Sequence, residues 1–103
     1  MCIRDSNVPV KMQWKSDDAK PAKWSESKAM LLSLFEPDTM DTLKIDLWTT
    51  KMQVGEMDRM MYQTFRGLAD TYYKATQNRE LAIEMQKFVQ YFGEKTEVIP
   101  KPE

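Results

Sequence analysis

TLKIDLW, residues 42–48, alternates polar and apolar side chains along its whole length. Successive side chains point to opposite faces of a strand, so this pattern predicts a β-strand with one apolar face. Beyond Thr49 the apolar residues recur at steps of three and four, the spacing of one helix face. These residues are Met57, Met61, Phe65, Leu68, Tyr72 and Ala75. The change of period predicts sheet before residue 49 and helix after it.

Two more strands are predicted upstream of this switch. Residues 8–15 alternate apolar and polar side chains. Residues 28–35 are apolar on one face and have only Ser33 as a polar residue on the other, so we expect this strand to be largely buried. Residues 16–26 are polar and contain Pro21, which predicts a loop. The Pro and Asp residues within 36–41 predict a hairpin connection.

Two helices are predicted downstream, one ending near residue 75 and a second over Arg79–Lys95 with Asn78 as its N-cap. The short link between them predicts an antiparallel helical hairpin. Gly67 costs a helix interior about 1 kcal/mol relative to alanine, so we expect close packing there. The residues predicted to face the core are Met57, Met60, Met61, Phe65, Leu68 and Tyr72, then Leu81, Met85, Phe88, Val89 and Phe92.

The predicted fold class is therefore α+β, with an antiparallel sheet of about three strands packed against a C-terminal two-helix antiparallel hairpin. A length of 103 residues with 42% apolar content suits one globular core. We expect a single domain over residues 7–97. Residues 98–103 contain two prolines, which exclude a helix. We therefore predict that these residues form a flexible tail.

The first six residues, MCIRDS, resemble a peptide that arises when sequencing-adapter sequence is translated at the start of metagenomic reading frames. The alternative interpretation is a natural, frayed terminus. Cys2 is the single cysteine, which excludes an internal disulfide. No apolar run approaches the ~20 residues that cross a bilayer, and no secretory leader is recognisable. We therefore expect a soluble, cytoplasmic protein without a transmembrane segment.

Composition argues against several kinds of chemistry. The chain has 15 basic and 16 acidic residues without a basic block, so we expect no nucleic-acid partner. It has no histidine, which removes the commonest general base and the commonest zinc ligand. Its three glycines are isolated, so no phosphate-binding loop is predicted. We expect no catalytic residue, no cofactor and no metal, and hence a protein that is not an enzyme.

A row of side chains beside the apolar stripe of the first helix is the candidate partner-contact surface. Tyr62, Arg66, Ala69 and Tyr73 follow one another at steps of four, three and four. Tyr and Arg are enriched at the energetic centres of protein interfaces. In the alternative interpretation, both tyrosines rest on the flank of a neighbouring helix or sheet.

Asp46 carries the alternative function. A carboxylate in the middle of a strand could be the polar group of a pocket between sheet and helices, in a small-ligand-binding or weakly enzymatic domain. The competing expectation for Asp46 is a partly exposed residue that pairs across strands. A further alternative is a homodimer, formed through an open sheet edge or through the helical hairpin.

Several segments resemble the gliding-motility protein GldC family. They are TLKIDLWT at 42–49, Glu56-Met57, Leu68-Ala69-Asp70-Thr71, Ala75-Thr76, Tyr91-Phe92 and Glu94-Lys95, with a weaker match from Asn7-Val8-Pro9. The resemblance covers about nine-tenths of the chain and rests on the order and spacing of these segments. It implies an accessory factor of surface gliding that contacts a protein of the gliding or associated secretion machinery. It implies no catalytic or binding residue.

The chain departs from the family pattern at two places. Family members begin with an additional amphipathic strand before the Asn-Val-Pro segment, and here MCIRDS stands in its place, which suggests a member truncated at its N-terminus. Tyr62 occupies a position where the family favours histidine. Any role assigned to position 62 is therefore not carried over from the family.

Overall fold

A computed structural model describes residues 11–14 and 24–100, which form four strands and two helices. In chain order they are β1 (Met12–Trp14), β2 (Ser25–Ser27), β3 (Ala29–Phe35), β4 (Thr42–Trp48), α1 (Val54–Thr76) and α2 (Arg79–Lys95). The chain divides into two compact units, Met1–Met52 with the strands and Gln53–Glu103 with the helices. The predicted α+β class and the C-terminal helical hairpin are confirmed.

The strands form two antiparallel sheets of two strands each, β1 with β2 and β3 with β4. The expected single sheet of about three strands therefore becomes two pairs, and the additional strand is β2. β2 lies where residues 16–26 predicted a loop, because Ser-Glu-Ser has no apolar alternation to reveal a strand. Of the strand predicted over residues 8–15, the described part is β1. The predicted leader at residues 1–6 lies outside the described residues.

β3 and β4 form a hairpin in which directly opposed residues share a face. Leu32 is opposite Ile45 and Leu31 is opposite Asp46. One face is wholly apolar and consists of Met30, Leu32, Leu34, Leu43, Ile45 and Leu47. The expectation that residues 28–35 are largely buried is wrong, because every residue from 32 to 35 is exposed. The apolar composition of a strand does not by itself determine how much of each side chain is exposed.

A turn connects β3 and β4, where the Pro and Asp residues within 36–41 predicted a hairpin connection. The Glu36 amide donates to the Asp41 carbonyl at 2.9 Å, and the Met40 amide donates to the Glu36 carbonyl at 2.9 Å. Met40 adopts a left-handed backbone with φ of 63°. A methionine carries a steric cost in that region that a glycine would avoid.

Both helices begin at side-chain caps. At the start of α1, Gln53 and Glu56 form a capping box, in which the Gln53 amide donates to the Glu56 carboxylate at 3.0 Å. Asn78 caps α2 as predicted, because its Oδ1 accepts the Leu81 amide at 3.1 Å. Gln77, in the left-handed region, ends α1 and donates its amide to the Tyr73 carbonyl at 2.8 Å.

Small residues form the seam between α1 and α2. Ala69, Ala82, Val89 and Gly93 are buried and allow the two helices to approach closely. Beside the seam, the Phe65 ring meets those of Phe88 and Phe92 edge-on, with centroids 5.7 Å and 5.2 Å apart. These contacts pair the middle of α1 with the second half of α2, as expected in an antiparallel hairpin.

Two expectations about the packing of these helices are wrong. Leu68, Leu81 and Phe88, predicted to lie in the core, are each about half exposed. Gly67, predicted to mark close packing, has open space around the position a Cβ would take. Close packing occurs instead at Gly93, where an added Cβ would lie 2.6 Å from Tyr62 Cε1 and 2.9 Å from Ile99 Cδ1.

Candidate interaction surface

The helical hairpin has two different faces on either side of its seam. Projection of each helix at 100° per residue separates them. The face that we call the mixed face consists of Tyr62, Arg66, Asp70 and Tyr73 of α1 with Arg79, Ile83, Gln86 and Gln90 of α2. The other, which we call the apolar face, consists of Met61, Phe65, Leu68 and Tyr72 of α1 with Leu81, Met85, Phe88 and Phe92 of α2.

Three of the four residues predicted to contact a partner lie on the mixed face. Arg66 and Tyr73 border its depressions, and Tyr62 is half-buried. Ala69 lies in the seam with only 1% of its surface exposed, so it holds the helices together beneath this face. Its position in the row reflects helical spacing, and its small side chain lets α2 approach.

Two of the shallow depressions on the mixed face bring aromatic and charged residues of both helices together. The first, of about 190 Å³, is lined by Tyr62, Arg66, Gln86, Val89 and Gln90. The second, of about 500 Å³, is lined by Asp70, Tyr73, Arg79, Ala82, Ile83 and Gln86. Gln86 borders both depressions, so they form one continuous surface along the seam.

The Tyr62 ring packs directly against Gly93, where a larger residue would collide with it. Its Cε1 and Cδ1 atoms lie 2.6 Å and 2.8 Å from the point where a Cβ of residue 93 would stand. The same point is 2.9 Å from Ile99 Cδ1, and the Ile99 amide donates to the Gly93 carbonyl at 3.2 Å. The tyrosine is thus packed against α2 along its edge and borders the first depression.

The charges of the mixed face are dominated by its two arginines. Asp70 is neutralised by Lys74, with 3.0 Å between Oδ2 and Nζ. In the part of the chain that the structure describes, neither Arg66 nor Arg79 takes part in an ion pair. Guanidinium groups present planar arrays of donors that suit carboxylates. The mixed face can therefore receive acidic side chains next to aromatic contacts.

The apolar face contains a groove of about 420 Å³ lined by Phe65, Leu68, Leu81, Glu84, Met85, Phe88 and Val89. Glu84 is the charged residue of this lining and forms an ion pair with Lys87, with 3.1 Å between Oε1 and Nζ. The groove follows the seam on the side opposite the mixed face. It is a surface for apolar contact.

Asp46 lies in β4, opposite Leu31, with 25% of its side chain exposed. Its Oδ1 lies 3.5 Å from Nζ of Lys44, which is two residues away on the same strand. The expected partial exposure is confirmed, whereas the expected pairing across strands is wrong, because the residue directly opposite is apolar. Side chains two positions apart share a strand face, and the lysine stem is long enough to reach.

Sequence reasoning missed the contribution of α2 to the mixed face. Arg79, Ile83, Gln86 and Gln90 follow at steps of four, three and four, the same spacing as Tyr62, Arg66, Ala69 and Tyr73. The periodic signal was present, but only the pairing of the helices shows that the two rows are neighbours.

Two other kinds of feature are absent from the described residues. No group of three or more His, Cys, Asp or Glu residues is arranged there to hold a metal ion. No helix in residues 11–14 or 24–100 has the length and apolar character needed to span a membrane.

Comparison with known proteins gives one match. No curated protein and no solved structure matches the chain. One family does match, over residues 9–98, which is most of the chain. The resemblance inferred from the sequence segments is confirmed by this match. The chain belongs to the family of gliding motility-associated, GldC-like proteins.

Proposed function

We propose that this protein is a non-enzymatic, soluble accessory factor of bacterial gliding motility that acts through protein–protein contacts made by the mixed face. Family membership supports the association with gliding. The observation that carries the proposal is the grouping of two tyrosines and two arginines from two helices around Gln86. Interfaces are anchored by such residues, because they bury large areas and offer directional hydrogen bonds.

The partner that fits this surface is a protein of the gliding or associated secretion machinery with carboxylates beside apolar or aromatic residues. Arg66 and Arg79 supply two guanidinium groups outside any ion pair among the described residues, and Ile83 and Tyr73 supply apolar area between them. We place the protein in the cytoplasm, on the same side of the membrane as the cytoplasmic parts of that machinery.

The proposal is tested in a gliding bacterium that lacks its own copy of the gene and is complemented with variants. Arg66→Glu reverses a charge on the mixed face and Tyr73→Ala removes an aromatic contact. We expect both variants to lose colony spreading while their abundance stays normal. Lys51→Glu is the matched control, because it makes the same change in net charge at an exposed position in the turn before α1.

A photoreactive benzoylphenylalanine at position 73 identifies the contact directly. We expect it to crosslink to a component of the gliding or secretion apparatus in living cells, and Arg66→Glu to abolish that crosslink. Normal spreading of the Arg66→Glu and Tyr73→Ala strains, or a crosslink that persists in Arg66→Glu, would contradict the assignment of the mixed face. Cell fractionation of the complemented strain tests the location.

A further inference from the structure

A glycine in the interior of α1 has no packing reason within the helical unit. Gly67 lies inside a helix of 23 residues, where glycine is among the least favourable residue types. Apart from its chain neighbours and the backbone of its own helix, no atom of residues 53–100 lies within 4 Å of the position that a Cβ would take. Alanine would therefore fit this unit and favour the helix. Glycine instead leaves the backbone of α1 accessible to close approach.

Gly67 lines a third depression on the mixed face. This depression has a volume of about 650 Å³ and is lined by Gln63, Arg66, Gly67, Asp70 and Gln86. All five residues belong to α1 and α2, so the two helices alone form it. Arg66 and Gln86 also border the first depression, and Asp70 and Gln86 border the second. The glycine is thus part of the same continuous surface.

The lining of the third depression matches a peptide main chain that carries a carboxylate. The side-chain amides of Gln63 and Gln86 each offer donors and an acceptor, the two kinds of group that pair with a peptide unit. Gly67 presents no side chain, so a main chain can come close to the helix there. The Arg66 guanidinium has no ion-pair partner among the described residues and offers a planar array of donors to a carboxylate.

Charge selects an acidic segment over an apolar one as the occupant. An apolar segment would remove Arg66 from water without supplying a counter-charge, which is unfavourable. Asp70 does not supply that charge, because its Oδ2 is paired with Lys74 Nζ at 3.0 Å. Arg79, on the adjoining second depression, is also outside any ion pair in the described part of the chain. A segment with carboxylates complements both arginines.

We propose that an acidic segment of the partner protein crosses α1 at Gly67, with its main chain against the glycine and a carboxylate on Arg66. The inference rests on the proposed function of the mixed face and adds the point of closest approach and the chemistry of the segment. A side chain at position 67 would stand between the two backbones. Binding should therefore fall as the volume at this position increases, while the fold of the isolated chain is retained.

The test compares substitutions of two glycines of α1. Gly67→Ala and Gly67→Leu introduce better helix formers, so each should raise the unfolding midpoint of the purified full chain by roughly 4 °C or more. In living cells, the crosslink from benzoylphenylalanine at position 73 to the gliding or secretion component should fall about tenfold in Gly67→Ala and disappear in Gly67→Leu. Gly55→Ala is the matched control, because a Cβ there also meets nothing within 4 Å but Gly55 borders none of the three depressions. Its crosslink should be unchanged.

The outcomes separate this inference from the proposed function. A crosslink that persists in Gly67→Leu but is lost in Arg66→Glu would overturn the approach at Gly67 and leave the mixed face as the contact surface. A purified Gly67→Ala that unfolds at a lower temperature than the wild type would show that the chain itself fills this site, and would also overturn the inference. Equal loss of the crosslink in Gly55→Ala would do the same.

Mass spectrometry of the crosslinked peptide tests the chemistry of the segment. We expect the partner peptide captured from position 73 to contain Asp or Glu, and a peptide without either would overturn the acidic assignment. A crosslink that persists in Arg66→Glu contradicts the proposed function itself, and the inference about Gly67 then fails with it.

Discussion

Two glycines of the helical hairpin show how differently one residue type can act. Gly67 lies on an exposed turn of α1 with open space around the position of a Cβ, whereas Gly93 lies in the seam beneath Tyr62 and Ile99. The sequence predicted the tight contact at Gly67, because a glycine inside a helix usually has a packing reason. Which glycine has that reason depends on the neighbouring helix.

The two glycines therefore respond in opposite directions to the same change. Gly93→Ala should lower the free energy of unfolding by about 1–3 kcal/mol, because the methyl group overlaps the Tyr62 ring. Gly67→Ala should raise it by about 1 kcal/mol, since alanine loses less conformational entropy in a helix. Chemical denaturation of both variants checks the pair. Equal shifts in the same direction would contradict the seam described here.

The side-chain hydroxyl of Thr49 gives a second prediction at the scale of one residue. Its Oγ1 is buried and makes no hydrogen bond within the described part of the chain, while its amide donates to the Lys28 carbonyl at 2.8 Å. Thr49→Val removes the unpaired hydroxyl, keeps the shape and should stabilise the protein by about 1 kcal/mol. Thr49→Ser keeps the hydroxyl and should not. Thermal and denaturant unfolding distinguish the two outcomes.

At the scale of secondary-structure elements, hydrogen bonds between neighbouring residues determine where each helix begins. Gln53 and Glu56 form a capping box at α1, and Asn78 caps α2 through the Leu81 amide. Each of these caps involves residues no more than three positions apart. The N-cap of α2 was therefore predictable from sequence, whereas β2 was not, because its three residues have no apolar pattern.

Removal of the α2 cap gives a prediction about this element. Asn78→Ala leaves the Leu81 amide without its side-chain acceptor and should cost about 1 kcal/mol of stability. Asn78→Asp keeps an acceptor and adds a negative charge at the helix N-terminus, so it should be neutral or stabilising. Helix content and unfolding midpoints of the two variants check this. A loss of stability in Asn78→Asp as large as in Asn78→Ala would show that the side-chain acceptor is not what matters.

Across the molecule, the faces formed by apolar residues were recognised from the sequence, but the burial of several of these residues was not, although Val89 is buried as predicted. Met30, Leu32 and Leu34 of β3 and Leu68 and Phe88 of the hairpin are all exposed. Periodicity shows which residues share a face, and it carries no information about what lies on that face.

The order of amino acids was enough to establish the α+β class, the switch from strand to helix after Trp48, the cap at Asn78 and the family. Each of these depends on residues close together in the chain or on their order along it. Three other properties became visible only in the folded chain: Ala69 belongs to the seam, Gly93 is the tight contact, and Gln86 joins two depressions into one surface. The physical reason is that these properties arise from pairing two helices whose contacting residues are distant in sequence.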